Sequence, residues 1–173
     1  MRTSLVLTLI GDDKPGIVEQ LADRILAAGA NWEESRMARL AGKFAGLLRV
    51  SIDAAQADAL TSRLMSSGVA GLTVVVERSG GPESAALRAI GLELVGHDQP
   101  GIVRNIARVL ASRSVNIEEL ETDTTSAPMS GDTLFRARAL LSVPAAMTAE
   151  QLRKELEALA GELMVDITLE ERK

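Results

Sequence analysis

The chain has 173 residues, 46% of them apolar and 25% charged, with a net charge of −5, no cysteine and one histidine. This composition excludes disulfides, thiolate chemistry and sulfur-ligated metals or clusters. One histidine among scattered carboxylates makes a zinc or transition-metal site unexpected. Residues 1–85 carry 9 basic and 10 acidic groups and residues 86–173 carry 10 and 14. Neither half therefore offers the cationic face through which proteins release counterions from DNA or RNA, and direct nucleic-acid binding is not expected.

The apolar run at residues 5–10 is too short to span a bilayer, and the Gly11-Asp12-Asp13 that follows it is no cleavage site. A cytoplasmic protein without a membrane partner is expected. Residues 4–10, rich in Leu, Val and Ile, read as a first strand. Asp12 and Asp13 then offer N-cap chemistry, and Pro15 suits a first helical turn. Ile17, Val18, Leu21, Ala22, Ile25 and Leu26 recur at helical spacing and give one apolar face, with Gly29 as the expected stop. Residues 31–40 and 44–52 read as strands joined by a hairpin turn at Ala41-Gly42-Lys43. A second helix over about 54–67 ends at Gly68, and residues 72–77 form a fourth strand.

Residues 79–84, Ser-Gly-Gly-Pro-Glu-Ser, are turn-rich. They place a linker at 79–86 between a first domain at 1–78 and a second at 87–173. The second domain repeats the order of the first, with strand 87–95, helix 100–112, strands 115–124 and 134–143, helix 148–160 and strand 164–170. Its hairpin loop, 125–132, is about six residues longer than its counterpart, and such loops serve either as partner contacts or as tolerated insertions.

The two halves are copies. Ile10 to Val18 reads IGDDKPGIV and Val95 to Val103 reads VGHDQPGIV. At the same spacing Gly29-Ala30-Asn31-Trp32-Glu33-Glu34 matches Ser114-Val115-Asn116-Ile117-Glu118-Glu119. Each copy has the order strand, helix, strand, strand, helix, strand. That order predicts an α+β protein of two ferredoxin-like βαββαβ domains in tandem, each an antiparallel sheet with helices on one face. A sheet covered on one side leaves its other face and its edges open, so a homodimer is expected.

The repeated turn is where chemistry is expected. A helix N-terminus offers free N–H groups and partial positive charge, which suit a carboxylate. Gly16 and Gly101 allow a ligand to approach the backbone, and Asp13 and Asp98 can accept from an ammonium group. Asn31 and Asn116, opening the next strand, can both donate and accept. Together these groups suit a zwitterion such as an amino acid. Each also has an ordinary structural use, since Asp caps, Pro starts and Gly loosens helices without any ligand. His97 reads as a surface turn residue. Glu33-Glu34 and Glu118-Glu119-Glu121-Asp123 read as solvated or partner-facing carboxylates, adjacent ones pointing to opposite faces of a strand. No phosphate-loop ending and no nucleophile motif is present, so an enzyme is the least supported class.

The Asp13-Lys14-Pro15-Gly16-Ile17-Val18 and Asp98-Gln99-Pro100-Gly101-Ile102-Val103 turns, with Asn31 and Asn116 each sixteen positions beyond the proline, resemble a pair of ACT domains. The resemblance runs from about Ser4 to Glu170. It implies a regulatory module that binds an amino acid at an interface between paired domains, held by the turn before the first helix and by the residue opening the second strand. Carried over, the ligand-binding residues are Asp13, Gly16, Ile17 and Asn31, and Asp98, Gly101, Ile102 and Asn116. A chain of two such domains is similar to the glycine cleavage system transcriptional repressor family. That likeness implies an accessory repressor acting through a DNA-binding transcription factor, with glycine or serine as ligand and no cofactor. An allosteric subunit of an amino-acid-metabolising enzyme and a ligand-free dimerisation module are the alternatives.

Overall fold

The computed structural model describes residues 1–67, 69, 71–79, 87–126 and 131–171. Gly68, residues 80–86 of the expected linker and residues 127–130 of the longer hairpin loop lie outside the described residues. The chain divides into two compact units, Met1–Pro82 and Glu83–Lys173.

The first unit comprises β1 (Arg2–Asp12), α1 (Ile17–Ala27), β2 (Asn31–Leu40), β3 (Lys43–Asp53), α2 (Ala57–Ser67) and β4 (Thr73–Arg78). Its sheet has the order β2-β3-β1-β4, each neighbouring pair antiparallel. Alternation builds the core. Leu5, Leu7 and Leu9 of β1 and Leu48, Val50 and Ile52 of β3 all point inward, where they meet Leu21 and Ile25 of α1 and Leu60 and Leu64 of α2. Full burial of each such side chain contributes about 1.5–3 kcal/mol. The α1 stripe is wider than the core needs: Val18 and Leu26, expected on the apolar face, remain 47% and 75% exposed. The β2–β3 hairpin closes as expected, with Ala41 at φ 48 and Gly42 at φ 80. Two successive positive φ angles are the type I′ geometry that matches strand twist.

The second unit repeats this with β5 (Leu87–His97), α3 (Ile102–Ser112), β6 (Asn116–Ser126), β7 (Thr133–Pro144), α4 (Ala149–Leu163) and β8 (Val165–Glu171), in sheet order β6-β7-β5-β8. Its core gathers Ile90, Leu92, Leu94, Ile106, Leu110, Leu141, Val143, Leu152 and Leu156. The two βαββαβ units are ferredoxin-like, as the element order predicts.

Several boundaries differ from expectation for local reasons. α2 begins at Ala57, not residue 54, because Asp53 closes a turn first: its carboxylate accepts from Ala55 N (3.0 Å) and its carbonyl from Gln56 N (2.9 Å). The Ala55 N–H, followed by the nearby amino terminus, holds the Asp53 carboxyl below the usual carboxylate range. α4 runs on to Leu163, and Met164, expected in the last strand, is instead its left-handed C-cap at φ 51. Thr125 and Ser126 are not loop but pair with Leu134 and Thr133 at the end of β6. Thr148 caps α4 in a reciprocal box with Gln151.

Candidate functional site

The repeated turns have one geometry, and it differs from the expected side-chain cap. Neither Asp12 nor Asp13 caps α1. The N-cap is Gly16 at φ 84 and ψ 1, with no side chain bonded to the helix end, and Gly101 at φ 96 and ψ −1 does the same for α3. Pro15 and Pro100 accordingly sit one residue before the cap, outside the first helical turn. Proline followed by a glycine near φ 80, ψ 0 is the signature of a type II turn, which explains why both copies spell Pro-Gly. The first helical bonds, Gln20 N to Gly16 O (3.0 Å) and Asn105 N to Gly101 O (2.9 Å), start directly from these glycines. Because no side chain caps them, the first N–H groups of both helices stay available to an anion. Ile17 and Ile102 are 3% and 2% exposed. Their side chains belong to the cores, and only their backbone can face a ligand.

Another glycine precedes each turn, at Gly11 and Gly96. A Cβ on Gly11 would lie 2.8 Å from Gly71 O, and one on Gly96 would lie 2.4 Å from Val165 Cγ1. These glycines let the strand that follows the second helix start close against β1 or β5. Sequence reasoning missed this role, although a glycine two residues before Asp13 and again two before Asp98 was the available signal.

The asparagines lie elsewhere. Asn31 stands opposite Ser51, which stands opposite Ser4, near the start of β1. The Asp13 turn instead adjoins the end of β1 and the β2–β3 hairpin, where Asp13 N donates to Gly42 O (3.0 Å). Eight steps of extended strand, from Ser4 to Asp12, separate the two levels, about 27 Å at the usual rise of ~3.3–3.4 Å per residue. The second unit is alike: Asn116 pairs with Ser142 beside Ala89, and Asp98 N donates to Thr133 O (2.9 Å) at the other end. Asp13, Gly16 and Ile17 are thus brought together at one end of the first sheet, and Asp98, Gly101 and Ile102 at one end of the second. Asn31 and Asn116 join neither group. An amino acid is far too short to touch both ends of one unit.

The carboxylate pairs also correct an expectation. A register shift between Trp32 and Glu34 breaks the strand alternation. Glu33 and Glu34 therefore do not point to opposite faces but converge on Arg49, with Glu33 at 3.5 Å and Glu34 at 3.4 Å. Glu34 also holds Arg36 at 2.6 Å. Such bulges bend a strand and re-aim side chains. At the matching shift between Ile117 and Glu119, Leu140 stands opposite Glu119, where the first unit has Arg49 opposite Glu34. His97 is exposed at the end of β5. Among the described residues no cluster of three or more His, Cys, Asp or Glu is placed to hold a metal ion, and no helix is long and apolar enough to cross a membrane.

Three cavities of the second unit have neither Asp98, Gly101 nor Asn116 in their lining. One of about 20 Å³ beneath α3 is lined by apolar side chains such as Ile106, Ile117, Phe135 and Ala139. It offers no polar anchor for a zwitterion. A groove of about 470 Å³ beside α4 mixes Glu150, Arg153, Lys154 and Glu171, and another of about 460 Å³ holds Arg113, Gln151 and Glu155.

The ACT-domain family profile matches residues 3–77, the first unit from its first strand into its last. The second unit repeats the first unit's strand order, helices and Pro-Gly turn. This chain is a tandem of ACT domains. A crystal structure of an unknown protein from Galdieria sulphuraria is similar over 100% of both chains, at 35% identity and a TM-score of 0.89. A solved structure of a candidate glycine cleavage system transcriptional repressor shares the tandem ACT fold over 100% of this chain and 99% of its own, with a TM-score of 0.74 and 22% identity. The glycine cleavage system transcriptional repressor of Escherichia coli (strain K12) is 25% identical over 161 residues, covering 92% of this chain and 85% of the relative. That of Shigella flexneri matches to the same extent, 25% over 161 residues.

Proposed function

We propose that this tandem ACT protein is an amino-acid-sensing regulator whose ligand sits where the Pro-Gly turn of one module faces the strand-opening asparagine of another. The observation that carries this reading is the separation of turn and asparagine within each unit, about 27 Å by strand rise. A ligand that uses both groups must draw them from two modules, so binding and module pairing become one event. The free helix N–H groups at Gly16 and Gly101 suit the carboxylate, and an aspartate with an asparagine suits the ammonium group. Ligand then changes how modules pair, and thereby the affinity for a protein partner. Couplings of this kind amount to about 1–3 kcal/mol, a several-fold to hundredfold response.

The finer reading is an accessory repressor of glycine cleavage genes in the cytoplasm, with glycine or serine as the signal and a DNA-binding transcription factor as partner. Similarity to the bacterial repressors along nearly the whole chain supports it. So does the negative charge of both halves, which leaves DNA contact to the partner. The exposed edge strands β2 and β6 favour a homodimer as the working form. Replacing Asp98 and Asn116 together by alanine tests the site, since both side chains are exposed and the fold should survive. Loss of amino-acid binding by the folded variant supports the assignment, and unchanged affinity rejects it.

A further inference from the structure

The two turns share a motif but are held by different bonds. In the first, both carboxylates are already engaged: Asp13 Oδ2 lies 2.8 Å from Arg39 Nε, and Asp12 is bonded to Lys43. Arg39 sits opposite Phe44 near the end of β2, and the matching position in the second unit, opposite Phe135, is Thr124. His97 replaces Asp12. There the turn is tied through Gln99, whose Nε2 donates to the Leu163 carbonyl oxygen at the end of α4 (2.6 Å). Among the described residues no cation pairs with Asp98. One aspartate is thus used to hold its own turn, and the other is left with its oxygens facing solvent.

We propose that Arg39 makes the two turns unequal, so that the second, through Asp98, accepts the ligand's ammonium group while the first is occupied by its own arginine. The inference rests on the amino-acid-binding reading above. An exposed ion pair adds little to stability, but this one stands where the incoming ammonium would stand and repels it. A carboxylate with no cation beside it has its full charge available for a charge-assisted hydrogen bond. The duplicated motif then encodes one strong ammonium acceptor per chain, not two.

Calorimetric titration of the full chain with glycine and with L-serine tests this. The expected result is one binding event per chain, with Asp98→Asn weakening it about tenfold or more, the value of a hydrogen bond to a charged group, and Asp13→Asn changing it by less than about threefold. Arg39→Thr, which installs the residue of the second unit, should add a second binding event. Two equal sites in the unaltered chain, or equal losses in Asp13→Asn and Asp98→Asn, would overturn the inequality while leaving amino-acid binding intact. Absence of binding by either amino acid would overturn the binding reading and this inference with it.

Discussion

Replacing Gly101 by alanine isolates the cost of the turn conformation. Gly101 holds φ 96, a region in which an L-residue costs about 1–2 kcal/mol. Packing adds nothing, because the nearest atom to a Cβ built there is Asn105 Nδ2 at 3.9 Å, an ordinary contact. The stiffer unfolded chain of alanine returns about 0.4–1 kcal/mol. The net loss should therefore be about 0–1.6 kcal/mol and centred near 0.8, a fall of a few degrees in the melting temperature of a unit this size. Gly101→Asn should lose less, since asparagine visits positive φ more readily. Urea denaturation of the full chain with each variant reads both numbers. A loss above about 3 kcal/mol for Gly101→Ala would mean a steric clash that the geometry excludes. A gain of about 0.4–1 kcal/mol, the value for alanine at an unstrained position, would mean that the turn does not hold a left-handed residue, and the account of the free helix end would fall.

Gly96→Ala is the contrasting case: its Cβ would come within 2.4 Å of Val165 Cγ1 and 3.0 Å of Val165 Cα. Overpacking of that kind costs about 1–3 kcal/mol, so the same denaturation series should place it below Gly101→Ala. Ser114 holds φ 57 where the first unit has Gly29 at φ 72. Ser114→Gly should thus stabilise the second unit by about 0.5–1 kcal/mol, and a lower urea midpoint for this variant would contradict the assignment. The Asp12 carboxyl is held below its usual range by the hydrogen bond from, and the charge of, Lys43. A depressed folded value stabilises above the unfolded pKa, about 3.9, and that stabilisation is lost as pH falls through the lower folded value. The urea midpoint should therefore fall slightly less steeply below about pH 4 in Lys43→Gln than in the unaltered chain. An identical acid profile would remove Lys43 as the cause.

The fold was legible because the repeat and the alternation reinforce each other. Leu5, Leu7 and Leu9 could face only one way in a strand, and the same pattern recurs at Ile90, Leu92 and Leu94. The turn was legible as a place but not as a mechanism. Asp13 looked like a cap, yet the type II turn at Pro15-Gly16 leaves the cap to glycine backbone and frees the aspartate for Arg39. That pairing depends on a hairpin folding back, which spacing along the chain does not report. The same holds for Asn31. Its distance in sequence from Pro15 is short, but α1 carries the chain back along the sheet, so the two end at opposite levels. The convergence of Glu33 and Glu34 on Arg49 was hidden because a strand bulge inverts the expected alternation.

The most direct test of the central claim is a thermal-shift screen of the full chain against the twenty amino acids, followed by calorimetry on any that respond. The account predicts a selective shift with one or a few small amino acids, because a ligand at 100 times its dissociation constant adds about 2.7 kcal/mol to stability. It further predicts that the shift disappears in the Asp98→Ala, Asn116→Ala double variant. A chain whose melting temperature is moved by none of the twenty contradicts the sensor account.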